Sequence, residues 1–325
     1  MKSVIFCQAP AKIGSVLNCY DQELSQGRDV TIVVRNVYGM YLFFKDLNLK
    51  ANLLFFEPIG QILNVFYNKS KVAKDIEKLK LSNKEDRIYF TDTRDDPTMG
   101  FYLSALKRYT IIKISQIAAF HDNASRGGIP LKYRIKEKLL SWLYNYSYKS
   151  TKIDHWTLEL NTSKYNYPTK DFNDLQVFSR YKIVCNVQPE QYAVFFTEPY
   201  RNQYQTEEDY DRVNQLVIDK IHAMGLKVAV KGHPRIGCHH LAEKMCDYII
   251  PEYIPSEFLD VTCFKFAIGF VSTSLCSASE YIKAYTVVPL CEIIDENLMN
   301  YWMDYIHRNQ GRYKVDSLKD FNELF

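Results

Sequence analysis

Lys231-Gly232-His233-Pro234-Arg235, followed by Ile254-Pro255-Ser256-Glu257 and then Val271-Ser272-Thr273-Ser274, decides how this chain is read. The first and last of these cassettes follow short apolar runs, residues 226–230 and 266–270, and the middle one follows Tyr248-Ile249-Ile250. Such runs, bounded by polar turns, read as buried strands. In an open α/β sheet the strand ends gather along one edge, and ligands bind there. One cassette brings a cation and an imidazole, the second a carboxylate, and the third three hydroxyls beside an expected helix start. Together they offer the contacts that the ribose and phosphate of a nucleotide require.

Outward from these cassettes, strand-like runs alternate with helical spacing. Strands are expected at 4–7, 30–34, 53–56, 87–90, 109–114 and 116–120, with helices at 13–24, 59–79, 99–107 and 135–146. A second series has strands at 192–196, 226–230, 246–250, 264–270 and 285–289, a long helix at 207–224 ending before Gly225, and a closing helix at 295–307. Alternation of this kind argues βαβ units and largely parallel sheets. Residues 151–185 are polar and aromatic with little periodicity, so the expected boundary falls near Asn186-Val187-Gln188-Pro189-Glu190, giving domains 1–187 and 188–325.

The 325 residues, 47% of them hydrophobic, suffice for two cores. A net charge of +3 does not indicate a nucleic-acid binder. No apolar run has the length of a membrane span, and Gln8, Lys12 and Asn18 break the N-terminal run, so neither a transmembrane helix nor a signal peptide is expected. Most of the eight cysteines lie in apolar runs, without a C-x-x-C pair, the pattern of reduced thiols in the cytoplasm. Residues 131–149 mix Lys132, Arg134, Lys136 and Lys138 with Leu139, Leu140, Trp142 and Leu143. That arrangement suits either peripheral contact with an anionic membrane, here its inner face, or an ordinary amphipathic surface helix.

The cassettes and their order resemble the bacterial sialyltransferases of the GT-B type. His233-Pro234 matches that family's HP motif, Pro255 with Glu257 its Pro-x-x-Glu-like segment, and Ser272-Thr273-Ser274 its Ser-Ser motif, with Thr at the middle position. The likeness covers residues 190–290 best and thins toward the N-terminus, where Gln8-Ala9-Pro10 through Cys19-Tyr20 looks like the family's first strand-to-helix loop. The resemblance implies a GT-B architecture, two Rossmann-type α/β domains facing across a cleft, with the last helix able to cross back. It also implies inverting, metal-independent transfer of a nonulosonic acid, sialic acid or a relative such as pseudaminic or legionaminic acid, from a CMP-activated donor. The acceptor would be a glycan or glycolipid of lipooligosaccharide or capsule. No cofactor, no metal and no nucleic acid are expected, and a homodimer is compatible.

In this reading His233 contacts the phosphate as hydrogen-bond donor or general acid. Lys231 adds positive charge near it. Glu257 accepts from the ribose hydroxyls, although a helix-start carboxylate would look the same. Ser272, Thr273 and Ser274 seat the phosphate, although any one of them could be a cap. Arg235 serves the ligand or a structural ion pair. The family's base lies in an acidic motif of the N-terminal domain. His121-Asp122-Asn123 is its partial match, making Asp122 the expected general base with Asp95-Asp96 as the alternative, and Ser125-Arg126-Gly127-Gly128 supplies a nearby loop. Asp209-Tyr210-Asp211 is formally Asp-x-Asp but sits on an expected helix, where a solvated face is the simpler reading. His239-His240 beside Cys238 lacks a partner at ligand spacing, so no metal site is read there. Rival readings are a GT-B enzyme using a UDP-sugar and a non-catalytic nucleotide- or glycan-binding protein.

Overall fold

The computed structural model describes residues 1–59, 64–91, 98–115, 129–152, 156–172, 176–188, 191–201, 204–234, 236–308 and 313–324. The chain divides into two compact units, Met1–Val177 and Phe178–Phe325.

In the first unit the strands are β1 (Lys2–Cys7), β2 (Asp29–Arg35), β3 (Asn52–Phe56), β4 (Arg87–Phe90), β5 (Thr110–Ile114), a hairpin of β6 (Tyr148–Lys152) and β7 (Trp156–Leu160), and β8 (Thr169–Lys170). Its helices are α1 (Ile13–Ser25), α2 (Tyr38–Asp46), α3 (Val65–Lys78), α4 (Met99–Leu106), α5 (Leu131–Tyr144) and α6 (Gln176–Arg180), the last running into the second unit. Apart from the hairpin, the strands form one parallel sheet in the order β3-β2-β1-β4-β5-β8. All of β1 beyond Lys2 is buried, as expected of a parallel strand covered on both faces.

The second unit repeats the plan. Its strands β9 (Tyr192–Phe196), β10 (Lys227–Lys231), β11 (Tyr248–Ile250), β12 (Ala267–Gly269), β13 (Ala284–Thr286) and β14 (Val315–Ser317) lie parallel in the order β11-β10-β9-β12-β13-β14. Its helices are α7 (Glu207–Ala223), α8 (His240–Met245), α9 (Thr273–Ala278) and α10 (Glu296–Arg308). Successive strand residues point to opposite faces. Phe195, Val228, Val230 and Ile268 therefore join Val213, Val217, Ile218 and Ile221 of α7 in one core cluster. Val194, Ala229 and Ala267 join Leu259, Val261, Leu275 and Ala278 in another. Helix α7 starts where the sequence says it should: Thr206 Oγ1 accepts from the Asp209 N–H at 3.1 Å, and three acidic residues occupy the first turn.

The segment before the expected boundary belongs with the second unit. Ile183 bridges Leu259, Lys182 pairs with Asp260 at 2.8 Å, and Phe178 packs on Phe258 with ring centroids 5.0 Å apart. The unit thus begins ahead of residue 188. The stretch 151–185, in which little periodicity was read, contains β7, β8 and α6. In Trp156-Thr157-Leu158-Glu159-Leu160 the alternation of apolar and polar residues is the signal of β7. The expected strand at 116–120 lies outside the described residues.

Candidate nucleotide site

Both sheets have the doubly wound order 3-2-1-4-5-6, in which the strand order reverses between the first and fourth strands. In the second sheet that reversal lies between β9 and β12. A cavity of about 80 Å³ opens there, past the carboxyl ends of β9, β10 and β12. It is lined by Thr197 and Glu198 after β9, Lys231 at the end of β10 with Gly232 and His233 after it, and Phe270 to Ser272 with Ser274 after β12. Tyr210 of α7 forms part of its wall.

His233 is half-buried in a tight loop. Its N–H donates to the Gly237 carbonyl and its own carbonyl accepts from the Gly237 N–H, both at 2.9 Å. The loop needs its glycines. Gly237 has φ +90°, and a Cβ on Gly232 would meet backbone atoms of Gly237 and Cys238 at 2.9 Å. Lys231 is 3% exposed, and its ammonium donates to the carbonyls of Gly232 at 2.6 Å and Glu252 at 3.1 Å. Burial lowers its pKa to about 8, against the opposing pull of Glu252 and Glu257. Lys231 thus ties the loops after β10 and β11 together and places a positive charge beside the cavity.

Ser272 is the N-cap of α9, its hydroxyl oxygen accepting from the Leu275 N–H at 3.1 Å. That leaves its own O–H to donate elsewhere. Ser274 lines the same cavity, whereas Thr273 is exposed and does not. Glu257 is also exposed, on the short 3-10 turn Ser256–Phe258, and lines a neighbouring depression with Lys182, Ser277 and Tyr281. Helix α9 contributes to both, Ser272 and Ser274 to one and Ser277 to the other. Chain order places the three cassettes at three strand ends, but it does not place all their side chains in one hollow. Asp122, its alternative Asp95-Asp96, the loop 125–128 and Arg235 lie outside the described residues.

Several site features were not legible in advance. Glu198 lines the cavity from two residues after the apolar run Tyr192–Phe196, where Thr197-Glu198-Pro199 marks a strand end. Asp209-Tyr210-Asp211 is not a solvated face. Asp209 is 5% exposed, is paired with Arg212 and accepts from the Glu292 N–H at 2.8 Å. Tyr210 stacks on Phe270 at 4.5 Å and donates to the Glu198 carbonyl at 2.8 Å, and burial pushes its pKa up to about 12. Asp211 is the partner that His239-His240 lacked in sequence. His239 Nε2 is 2.8 Å from Asp211 Oδ1, and donor atoms of Asp211, His239 and His240 lie within 4.8 Å of one another. Burial lowers the His239 pKa, outweighing the bond to Asp211.

No protein-family model matches the chain, and no curated protein does. Solved structures do. The GT-B domain of a sialyltransferase from Photobacterium damselae superposes with a TM-score of 0.50 at 13% identity, covering 98% of this chain and 100% of that one. UDP-GlcNAc 2-epimerase from Methanocaldococcus jannaschii gives a TM-score of 0.48 at 14% identity, over 100% of this chain and 90% of that one. MurG from Acinetobacter baumannii gives 0.39 at 11%, over 100% and 88%. At such identities the likeness is one of fold: two Rossmann-type units of the GT-B kind.

Proposed function

We propose that the protein is an inverting, metal-independent glycosyltransferase that moves a nonulosonic acid from its CMP-activated donor to a cell-surface glycan, working in the cytoplasm. The observation that carries this reading is the cavity between β9 and β12, lined by His233, Ser272 and Ser274 with the buried ammonium of Lys231 beside it. Ligands of doubly wound sheets bind at this position.

In the proposed reaction an acceptor hydroxyl attacks the anomeric carbon of the donor sugar, and the bond from that carbon to the phosphate oxygen breaks. The acceptor proton passes to the Asp122 carboxylate. Negative charge grows on the departing CMP phosphate, where His233 and the hydroxyls of Ser272 and Ser274 donate hydrogen bonds. Fixed donors of this kind stabilise a leaving group without reorganising at the moment of reaction. With a pKa of about 8, Lys231 is cationic at neutral pH and adds to that field. Glu257 is assigned to the ribose, which requires the nucleoside to extend from the His233 cavity to the neighbouring depression.

The purified protein, incubated with CMP-sialic acid and a galactose-terminated glycan in EDTA, is expected to release CMP and sialylate the glycan. UDP-N-acetylglucosamine in its place is expected to yield no UDP. Turnover of the UDP-sugar alone, or activity that EDTA abolishes and Mg²⁺ restores, would refute the reading.

A further inference from the structure

Helix α5 carries its apolar residues on two faces. Leu140 and Tyr144 are 2% and 3% exposed and pack into the core of the first unit, and Leu143 packs against that core. Leu131, Ile135, Leu139 and Trp142 are 71%, 57%, 39% and 77% exposed. At about 100° per residue these four fall within an arc of about 80° on the outer side. Fourteen large apolar residues are exposed among the described residues, and four of them lie on this one helix. That makes them a patch rather than scatter.

Charge borders the stripe on both sides. Lys132 and Lys136 follow it on one flank, their ammonium groups 5.3 and 5.6 Å from the centre of the Tyr133 ring. Arg134 and Lys138 follow on the other, both exposed. The helix has one acid, Glu137, whose carboxylate accepts from the Ser150 N–H. Beyond Lys138 lies a cavity of about 750 Å³ to which Lys107 and Lys164 add two more cations, with Ser141 and Tyr167 among its polar lining.

We propose that this face docks on the surface of an anionic phospholipid bilayer, with the stripe entering the acyl boundary and the cations meeting headgroup phosphates. An apolar stripe with lysines and arginines on its shoulders is the pattern of an interfacial helix. Long basic side chains lay their methylenes along the apolar zone and keep their heads in the polar one. A second copy is a poorer occupant. A two-fold contact through α5 would oppose the same cations to one another. Among the described residues no helix is long and apolar enough to cross a membrane.

The test is flotation of the full chain with phosphatidylcholine vesicles, with and without phosphatidylglycerol. The protein is expected to float only with the anionic vesicles, with a blue shift in tryptophan emission and release in high salt. Ile135→Ser combined with Trp142→Ser should abolish flotation. Lys136→Gln should weaken partitioning about fivefold, near the ~1 kcal/mol of one basic residue at such a surface. All these positions are exposed, so far-ultraviolet circular dichroism should not change. CMP-sugar turnover in solution should also survive, which separates this proposal from the donor assignment. The proposal is overturned if the protein does not float, floats equally on neutral vesicles, or floats undiminished in the double variant. A dimer that the double variant dissociates, without vesicle binding, would assign the face to a second copy instead.

Discussion

The second strand of each sheet, β2 and β10, ends on a buried cation: Arg35, 0% exposed, and Lys231, 3% exposed. Arg35 reaches inward along its sheet. It donates to Thr98 Oγ1 at 2.8 Å and lies over the Tyr102 ring at 4.2 Å, both on or beside α4, which follows β4. It therefore spans the place where the first sheet's strand order reverses. There Thr91 also donates to Gln8 Oε1 at 2.7 Å, with both side chains buried. Lys231 reaches the other way, to the Glu252 carbonyl after β11, and the reversal between β9 and β12 stays open to His233, Ser272 and Ser274. Among the described residues, two copies of one topology thus differ in where the cation ending their second strand reaches: across the reversal in the first sheet, away from it in the second. Under the proposed function the cavity of the second sheet holds the nucleotide and Asp122 is the base.

The largest effect should come from removing that base. Asp122→Asn is expected to slow transfer by about 10²–10⁴-fold while leaving CMP affinity unchanged. Should Asp122→Asn transfer at the wild-type rate while Asp95→Asn or Asp96→Asn fails, the division of labour survives and the base moves to residues 95–96.

The next effect should appear as a dependence of stability on pH. The Lys231 pKa in the folded protein, about 8, is below its ordinary value of 10.5. Below pH 8 both folded and unfolded states hold the proton, and the full cost of burying the charge is present. Between pH 8 and 10.5 the unfolded chain binds more protons than the folded one, so stability rises with pH. Urea unfolding of wild type against Lys231→Met should show a difference that moves in favour of the wild type by about 3 kcal/mol across that window. A flat Lys231 difference would mean that its ammonium is solvated.

A smaller effect is expected at the cap of α9. Ser272→Ala should cost about 1 kcal/mol of stability and weaken CMP binding by a similar amount. Ser277→Ala, in the neighbouring depression that the nucleoside is proposed to reach, should weaken CMP binding by less. No loss of CMP affinity in either Ser277→Ala or Glu257→Ala would confine the nucleotide to the first hollow.

Much of the fold was legible because buried parallel strands write themselves as apolar runs. The ends of β4 and β9 fall where Arg87–Phe90 and Tyr192–Phe196 put them. Edge elements write no such signal. Strand β14, Val315–Ser317, is polar and partly exposed and is a strand only through its register with Ala284–Thr286. The candidate site was legible as residue types at strand ends, and His233, Ser272 and Ser274 do line one cavity. It was not legible as distances. Glu257 sits in its own depression because a 3-10 turn packs against α9 there. Glu198 was passed over because a lone carboxylate after a strand carries no motif. Asp209 and Tyr210 are buried although Glu207-Glu208-Asp209 reads as a solvated first turn, since Arg212 and Phe270 cover them. On α5, residue types alone did not separate Leu140, which faces the core, from Leu139, which faces out.

The central claim, that the open edge of the second sheet is a cytidine-nucleotide site, is tested most directly by calorimetric titration of CMP and UDP into wild type, His233→Ala and Thr91→Val. The account predicts that CMP binds and UDP binds more weakly, that His233→Ala costs about 1–3 kcal/mol of CMP affinity, and that Thr91→Val, at the reversal of the first sheet, costs none. Tighter binding of UDP than of CMP, or CMP affinity unchanged in His233→Ala, would contradict it.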